Sequence, residues 1–153
     1  MAVIAGRCHC GNVEISLETR IDPRQLPLRA CQCSFCRRHG ARTTADPAGR
    51  AAIKVRDVEE LSRYRWGLAT ADFLVCRRCG VYLGALLSEG GRGWATLNAN
   101  AFDDQEPFRR EAEPVSYEGE TAEQRIARRK SGWTPSAEVQ AAMPCGARHR
   151  GWR

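Results

Sequence analysis

The sequence predicts a mostly-β fold with short helices near its C-terminus. Three observations lead there. Val13, Ile15 and Leu17 alternate with Glu14, Ser16 and Glu18, the period-two pattern of a strand with one buried face. The most apolar segments, Ala69 to Cys76 and Val81 to Leu87, flank a Cys-Arg-Arg-Cys-Gly turn. Gly90, Gly91 and Gly93 then punctuate the chain just before Trp94 to Asn98, which reads as another strand.

In chain order, short strand-like pieces come first. Pro23 and Pro27 break regular structure ahead of an extended approach, Leu28 to Cys31. Ala51 to Val55 and Ser62 to Trp66 are further strand candidates. The last third changes character. Thr121, followed three residues later by Gln124, signals a capping box and a helix through about Lys130. Its Arg125, Arg128, Arg129 and Lys130 leave only Ile126 and alanines to bury, so the charge run is expected to be a solvated face. Thr134-Pro135 reads as the start of a second helix, running to Met143 and stopped by Pro144. The expected organisation is one domain over 1–153, with 116–153 a helical appendage packed on the sheet. Internal repeats and low-complexity tracts are absent.

With 42% apolar and 27% charged residues the chain has a globular balance, neither disordered nor membrane-embedded. No apolar run approaches the ~20 residues that span a bilayer. The opening MAVIAGRC lacks the roughly 7–15 apolar residues of a secretory signal. Eight cysteines without an export signal read as metal ligands, which points to a cytoplasmic protein rather than a disulfide-bonded secreted one. The formal charge of +6 overstates the basicity. Seven thiolates holding two Zn²⁺ would lower it to about +3. A nucleic-acid partner is therefore not expected, and no stacking aromatics interleave with the basic run.

The cysteines fall into Cys8-His9-Cys10-Gly11, Cys31-Gln32-Cys33-Ser34-Phe35-Cys36, Cys76-Arg77-Arg78-Cys79-Gly80, and a lone Cys145. Zinc takes four soft ligands in a tetrahedron, with sulfur at about 2.3 Å. Two tight-turn pairs from distant parts of the chain complete a closed structural site, and Cys8/Cys10 with Cys76/Cys79 would do so. Cys31, Cys33 and Cys36 can then reach one ion with a position left open, the signature of catalytic zinc. Three thiolates around Zn²⁺ carry net −1, which blunts water activation and favours a soft exogenous thiol as fourth ligand. Spacing alone also allows Cys31/Cys33 to join Cys76/Cys79, leaving Cys36 spare. The trio could equally be a second closed site capped by Cys145, a histidine or a partner.

Gly6-Arg-Cys-His-Cys-Gly-Asn-Val13, Cys31-Gln-Cys-Ser-Phe-Cys-Arg-Arg-His-Gly40 and Phe73-Leu-Val-Cys-Arg-Arg-Cys-Gly80 resemble the glutathione-dependent formaldehyde-activating enzyme and centromere-protein-V family. The resemblance implies an Mss4-like zinc-binding β fold with two zinc ions. It places a structural zinc on Cys8, Cys10, Cys76 and Cys79 and a catalytic one on Cys31, Cys33 and Cys36. It also implies a zinc-dependent carbon–sulfur lyase, similar to S-(hydroxymethyl)glutathione synthase, acting on a small thiol such as glutathione and a small aldehyde.

Further candidates follow from these sites. Arg37 and Arg38 flank the open site and could hold the carboxylates of a glutathione-like ligand, or offset thiolate charge. Arg77 and Arg78 compensate charge at the closed site. His9 should point away from its neighbours' ion, and His39 is a local hydrogen-bonding group or a general base. Trp66, Trp94 and Phe73 are core or pocket wall, and Cys145 reads as a bystander. Two other classes stay open: a non-catalytic zinc-binding interaction module, and a methionine-sulfoxide-reductase-like redox enzyme with Cys145 reactive.

Overall fold

A computed structural model of the protein describes residues 1–141. Ala2–Arg7 (β1) and Val13–Thr19 (β2) form an antiparallel hairpin, with Ala2 opposite Thr19 and Arg7 opposite Glu14. Arg50–Val55 (β5) runs antiparallel along the other edge of β2. The alternation in β2 has its expected result: Val13, Ile15 and Leu17 are buried while Glu14, Ser16 and Glu18 are not.

Between β2 and β5 lie Arg29–Cys31 (β3), the short helix Ser34–His39 (α1) and Thr43–Thr44 (β4). Leu61–Tyr64 (β6), Asp72–Cys76 (β7), Tyr82–Glu89 (β8) and Arg92–Asn98 (β9) follow as an antiparallel meander. Glu113–Val115 (β10) returns parallel to β3. All the strands join one mixed sheet. Its main core gathers Leu17, Ile53, Leu74, Leu83, Leu97 and Phe108. A smaller cluster of Cys36, Phe73, Tyr82 and Ala85 sits apart, with Phe35, Trp66 and Trp133 against it.

The last third departs from expectation in one element. Ala122–Gly132 (α2) forms with its capping box complete: Gln124 N–H donates to Thr121 Oγ1, and Thr121 N–H donates to Gln124 Oε1. The second helix does not form. Thr134–Ser136 (β11) and Gln140–Ala141 (β12) are strands instead. A Thr-Pro pair suits a helix start and a short strand equally; the open edges of β5 and β9 decide between them. β11 lies between those strands, antiparallel to β9 and parallel to β5. Thr134 is fully buried there, and its Oγ1 accepts from Asp46 N–H at 2.8 Å. The segment is thus part of the sheet interior rather than a helical appendage. Met143, Pro144 and Cys145 lie outside the described residues.

Close approach within the meander needs glycine at one position. Gly84 faces Leu97 across the β8–β9 ladder at φ +150°, and a Cβ there would stand 2.3 Å from the Thr96 carbonyl oxygen. Gly84→Ala should therefore lower stability by about 1–3 kcal/mol. Thermal unfolding should show a melting temperature lower by several degrees, and an unchanged one would contradict the packing described.

Candidate functional site

The first sulfur cluster is built from two hairpin turns, each closed on a glycine. At the tip of the β1–β2 hairpin, Gly11 N–H donates to Cys8 C=O at 3.0 Å and Cys8 N–H donates to Val13 C=O at 2.9 Å. At the tip of β7–β8, Gly80 N–H donates to Cys76 C=O at 2.8 Å and Cys76 N–H to Val81 C=O at 3.0 Å. Both turns close on a glycine with positive φ, +79° at Gly11 and +78° at Gly80, which a side chain would strain. The two tips face each other, with Cys8 and Cys10 sulfurs 3.6 Å apart and Cys10 and Cys76 sulfurs 3.5 Å apart. All four sulfurs of Cys8, Cys10, Cys76 and Cys79 lie within 4.8 Å of one another.

Those separations suit a metal. A tetrahedral ion with Zn–S of about 2.3 Å sets its sulfurs roughly 3.8 Å apart. Burial raises the Cys8 thiol and pushes Cys76 up to about 12. At Cys79 burial also pushes upward, but amide hydrogen bonds from Val81 and Cys10 outweigh it and bring the thiol to about 7. Four thiols this close cannot all ionise without a cation among them.

The second cluster comes from one short stretch. Cys31 ends β3, held in place where Gln32 N–H donates to Val115 C=O of β10 at 2.8 Å. Cys33 is the N-cap of α1, its sulfur accepting Cys36 N–H at 3.3 Å. Cys36 lies in the first turn, buried. The three sulfurs lie within 4.8 Å of one another, and among the described residues no fourth Cys, His, Asp or Glu stands that close to all three. Hydrogen bonds from the Cys31 and Cys36 thiols, reinforced by the Cys36 and Phe35 amides, pull Cys33 down to about 2. Cys31 and Cys36 are raised in turn, because their protons serve Cys33. The sulfurs group as four and three, so Cys31 and Cys33 do not pair with Cys76 and Cys79.

The trio borders a cavity of about 480 Å³. Cys31, Cys33 and Cys36 form part of its wall, and Trp66, Phe73 and Tyr82 supply an aromatic part. Phe35 ties these together, with ring centres 4.8 Å from Phe73 and 5.0 Å from Tyr82. Burial, then the negative charges of Cys36, Cys33 and Cys31, keep the proton on the Tyr82 phenol well above the usual tyrosine range. Arg125, Arg128, Arg129 and Trp133 bring a cationic part from α2 and its end.

Glu120 is shared by two of those arginines and offsets one of their two charges. Arg128 donates to it through Nε at 2.9 Å and Nη2 at 3.0 Å, and Arg125 Nε approaches at 3.5 Å. The Arg128 hydrogen bonds foremost, then Arg125, hold the Glu120 carboxyl below its ordinary range. Arg129 is more deeply buried, its Nη1 donating to Thr70 Oγ1 at 2.6 Å and its guanidinium 4.7 Å from the Trp133 ring centre.

These placements revise several expectations. The run from Arg125 to Lys130 is not a solvated face, because Arg125, Arg128 and Arg129 share one side of α2 and turn it toward the cavity. Arg37 and Arg38 are exposed on α1 and do not line the cavity; Arg38 Nη1 donates back to Ser34 C=O at 3.0 Å. His39 is exposed with its ring 4.5 Å from Phe35, and His9 is exposed between two clustered cysteines. Arg78 approaches Asp57 at 3.7 Å. Trp66 and Phe73 do form pocket wall, whereas Trp94 packs beneath Arg92 and Lys130. Tyr82 was hidden in an apolar run. Arg129 left one legible trace, the spacing of Arg125, Arg128 and Arg129 that puts all three on one helix face.

A single mixed sheet carrying two thiol clusters defines a β domain with two groups of sulfurs that could hold metal ions. A family profile described as glutathione-dependent formaldehyde-activating enzyme matches residues 3–118, and the chain belongs to that family. It is also similar to a crystal structure of a Rhodobacter sphaeroides protein at 31% identity and a TM-score of 0.53, over 72% of this chain and 99% of that one. No curated protein matches. The family match ends at 118, so α2 and its arginines lie beyond it.

Two outcomes test this geometry. Cys36→Ser should lose about one metal equivalent and keep a cooperative melt, whereas Cys76→Ser, which breaks the contact between two hairpin tips, should lose the melt as well. Elemental analysis with calorimetry distinguishes them, and equal effects on stability would contradict the division. Glu120→Gln should destabilise the protein at pH 7. Because folding lowers the Glu120 pKa, its contribution is complete above the ordinary value of 4.5 and fades as pH falls through the lowered one. The gap in urea midpoint between variant and wild type should accordingly close in acid.

Proposed function

We propose that the cavity beside Cys31, Cys33 and Cys36 is the active site of a zinc-dependent carbon–sulfur lyase that joins a small thiol, such as glutathione, to a small aldehyde. The observation that carries this reading is a trio of sulfurs, without a fourth protein donor among the described residues, on the wall of a cavity of about 480 Å³. A zinc ion held there would supply a coordination position at which an incoming thiol loses its proton near neutral pH.

The protein's own groups have defined parts in the reaction. The aromatic wall of Trp66 and Phe73 shields the aldehyde from water, which would otherwise hydrate it. As the thiolate sulfur bonds to the carbonyl carbon, the π pair moves to oxygen. Tyr82, which keeps its phenolic proton and lines the same cavity, is the donor to that oxygen. The thiol proton leaves to solvent and Tyr82 is reprotonated, so the sum is a simple addition, reversible and without redox change.

The cluster of Cys8, Cys10, Cys76 and Cys79 is assigned a structural zinc that staples two hairpin tips. Arg37 and Arg38, outside the cavity, are assigned to offsetting thiolate charge rather than holding ligand. Among the described residues no helix is long and apolar enough to cross a membrane. Both clusters need reduced thiols, which suits the cytoplasm.

The test is the exchange rate between formaldehyde, thiol and adduct, followed by NMR on zinc-loaded protein. Exchange should exceed the spontaneous rate, fall about 10²–10⁴-fold in Tyr82→Phe at unchanged metal content, and vanish in Cys36→Ser. Exchange at the spontaneous rate across a panel of small thiols and aldehydes would refute the reading.

A further inference from the structure

Three arginines of α2 reach the cavity, and they are not equivalent. Arg125 and Arg128 share the carboxylate of Glu120. Arg129, 7% exposed, has no carboxylate within 4.0 Å among the described residues. Its neutral hydrogen-bond partner is the Thr70 hydroxyl, and its Nε is buried without an acceptor. Burying a cation without a counter-charge is costly, and so is burying a donor without a partner. Burial, followed by the nearby charges of Arg128 and Arg125, lowers its pKa to about 10, so it remains charged at neutral pH. The cost is met if the missing partner arrives with the ligand. A guanidinium offers paired donors that match a carboxylate.

We propose that Arg129 is the anion-binding group of the cavity, holding a carboxylate of a thiol whose sulfur lies at Cys31, Cys33 and Cys36. This rests on the thiol reading above and names the side chain that would recognise the thiol's carboxylate. It also places specificity on a helix beyond the segment shared across the family, since the match ends at 118. Arg129 is a binding residue here and takes no part in bond making.

The test compares two thiols of similar size on the zinc-loaded protein, by calorimetry and tryptophan fluorescence. 3-Mercaptopropionate carries a carboxylate and 2-mercaptoethanol does not. Wild type should bind the first at least tenfold more tightly. Arg129→Gln should reduce that ratio to about one while 2-mercaptoethanol affinity stays within about twofold. Arg129→Lys should keep part of the preference. Undiminished preference in a folded Arg129→Gln variant overturns the assignment. If that variant does not fold, wild type decides: a ratio near one overturns the proposal, and a tenfold preference abolished by added acetate, with 2-mercaptoethanol binding untouched, upholds it. Succinate separates the two readings. If wild type binds succinate in an Arg129-dependent way but neither thiol, the anion site stands and the thiol reading falls. If wild type binds none of the three, both fall.

Discussion

Mutual repulsion among crowded sulfurs is the constraint on which this structure depends. Seven cysteines stand in two groups, each with sulfurs within 4.8 Å. Such groups persist as ionised ligands only around a cation, and the chain is bent to hold them that way. The two glycine-closed turns at Cys8–Gly11 and Cys76–Gly80 come from hairpins far apart in sequence and meet at their sulfurs. Where that contact is made, the edge hairpin β1–β2 and the meander β7–β8 are locked in relative position. The cavity lies against the same meander, so its shape inherits that lock.

The two clusters share ligand chemistry and differ in surroundings. The four-sulfur group has enough sulfurs, all within 4.8 Å of one another, to complete a tetrahedron by itself. The trio is tied to a short helix whose first turn directs an amide at Cys33, and it fronts open volume. A sulfur count alone would rank the larger cluster first. The difference in function proposed for them comes from what lies beside the trio: aromatic rings, a phenol and a guanidinium.

What could be read from the residues divides along a physical line. Local regularities were legible: the alternation of Val13, Ile15 and Leu17, the capping box at Thr121, and the clustering that separates cysteines by a few positions. Features created by tertiary contact were not. Thr134 and Pro135 suit either of two backbones, and only the paired edges of β5 and β9 select the strand. The arginines of α2 look like a solvated stripe until Glu120 and the cavity are set against them. Tyr82 is indistinguishable from core when read along β8, and Arg37 and Arg38 are near the trio in sequence but do not line its cavity. Adjacency along the chain is a poor guide to which charges share a pocket.

The insertion of β11 has a consequence for how this molecule can vary. A tail draped over a surface is free to be exchanged wholesale between relatives. Here the stretch that follows the arginine-bearing helix threads between two existing strands, so removing it would leave raw backbone edges inside the protein. Change on the cavity side of α2 is thereby confined to individual side chains, with the thread itself kept in place.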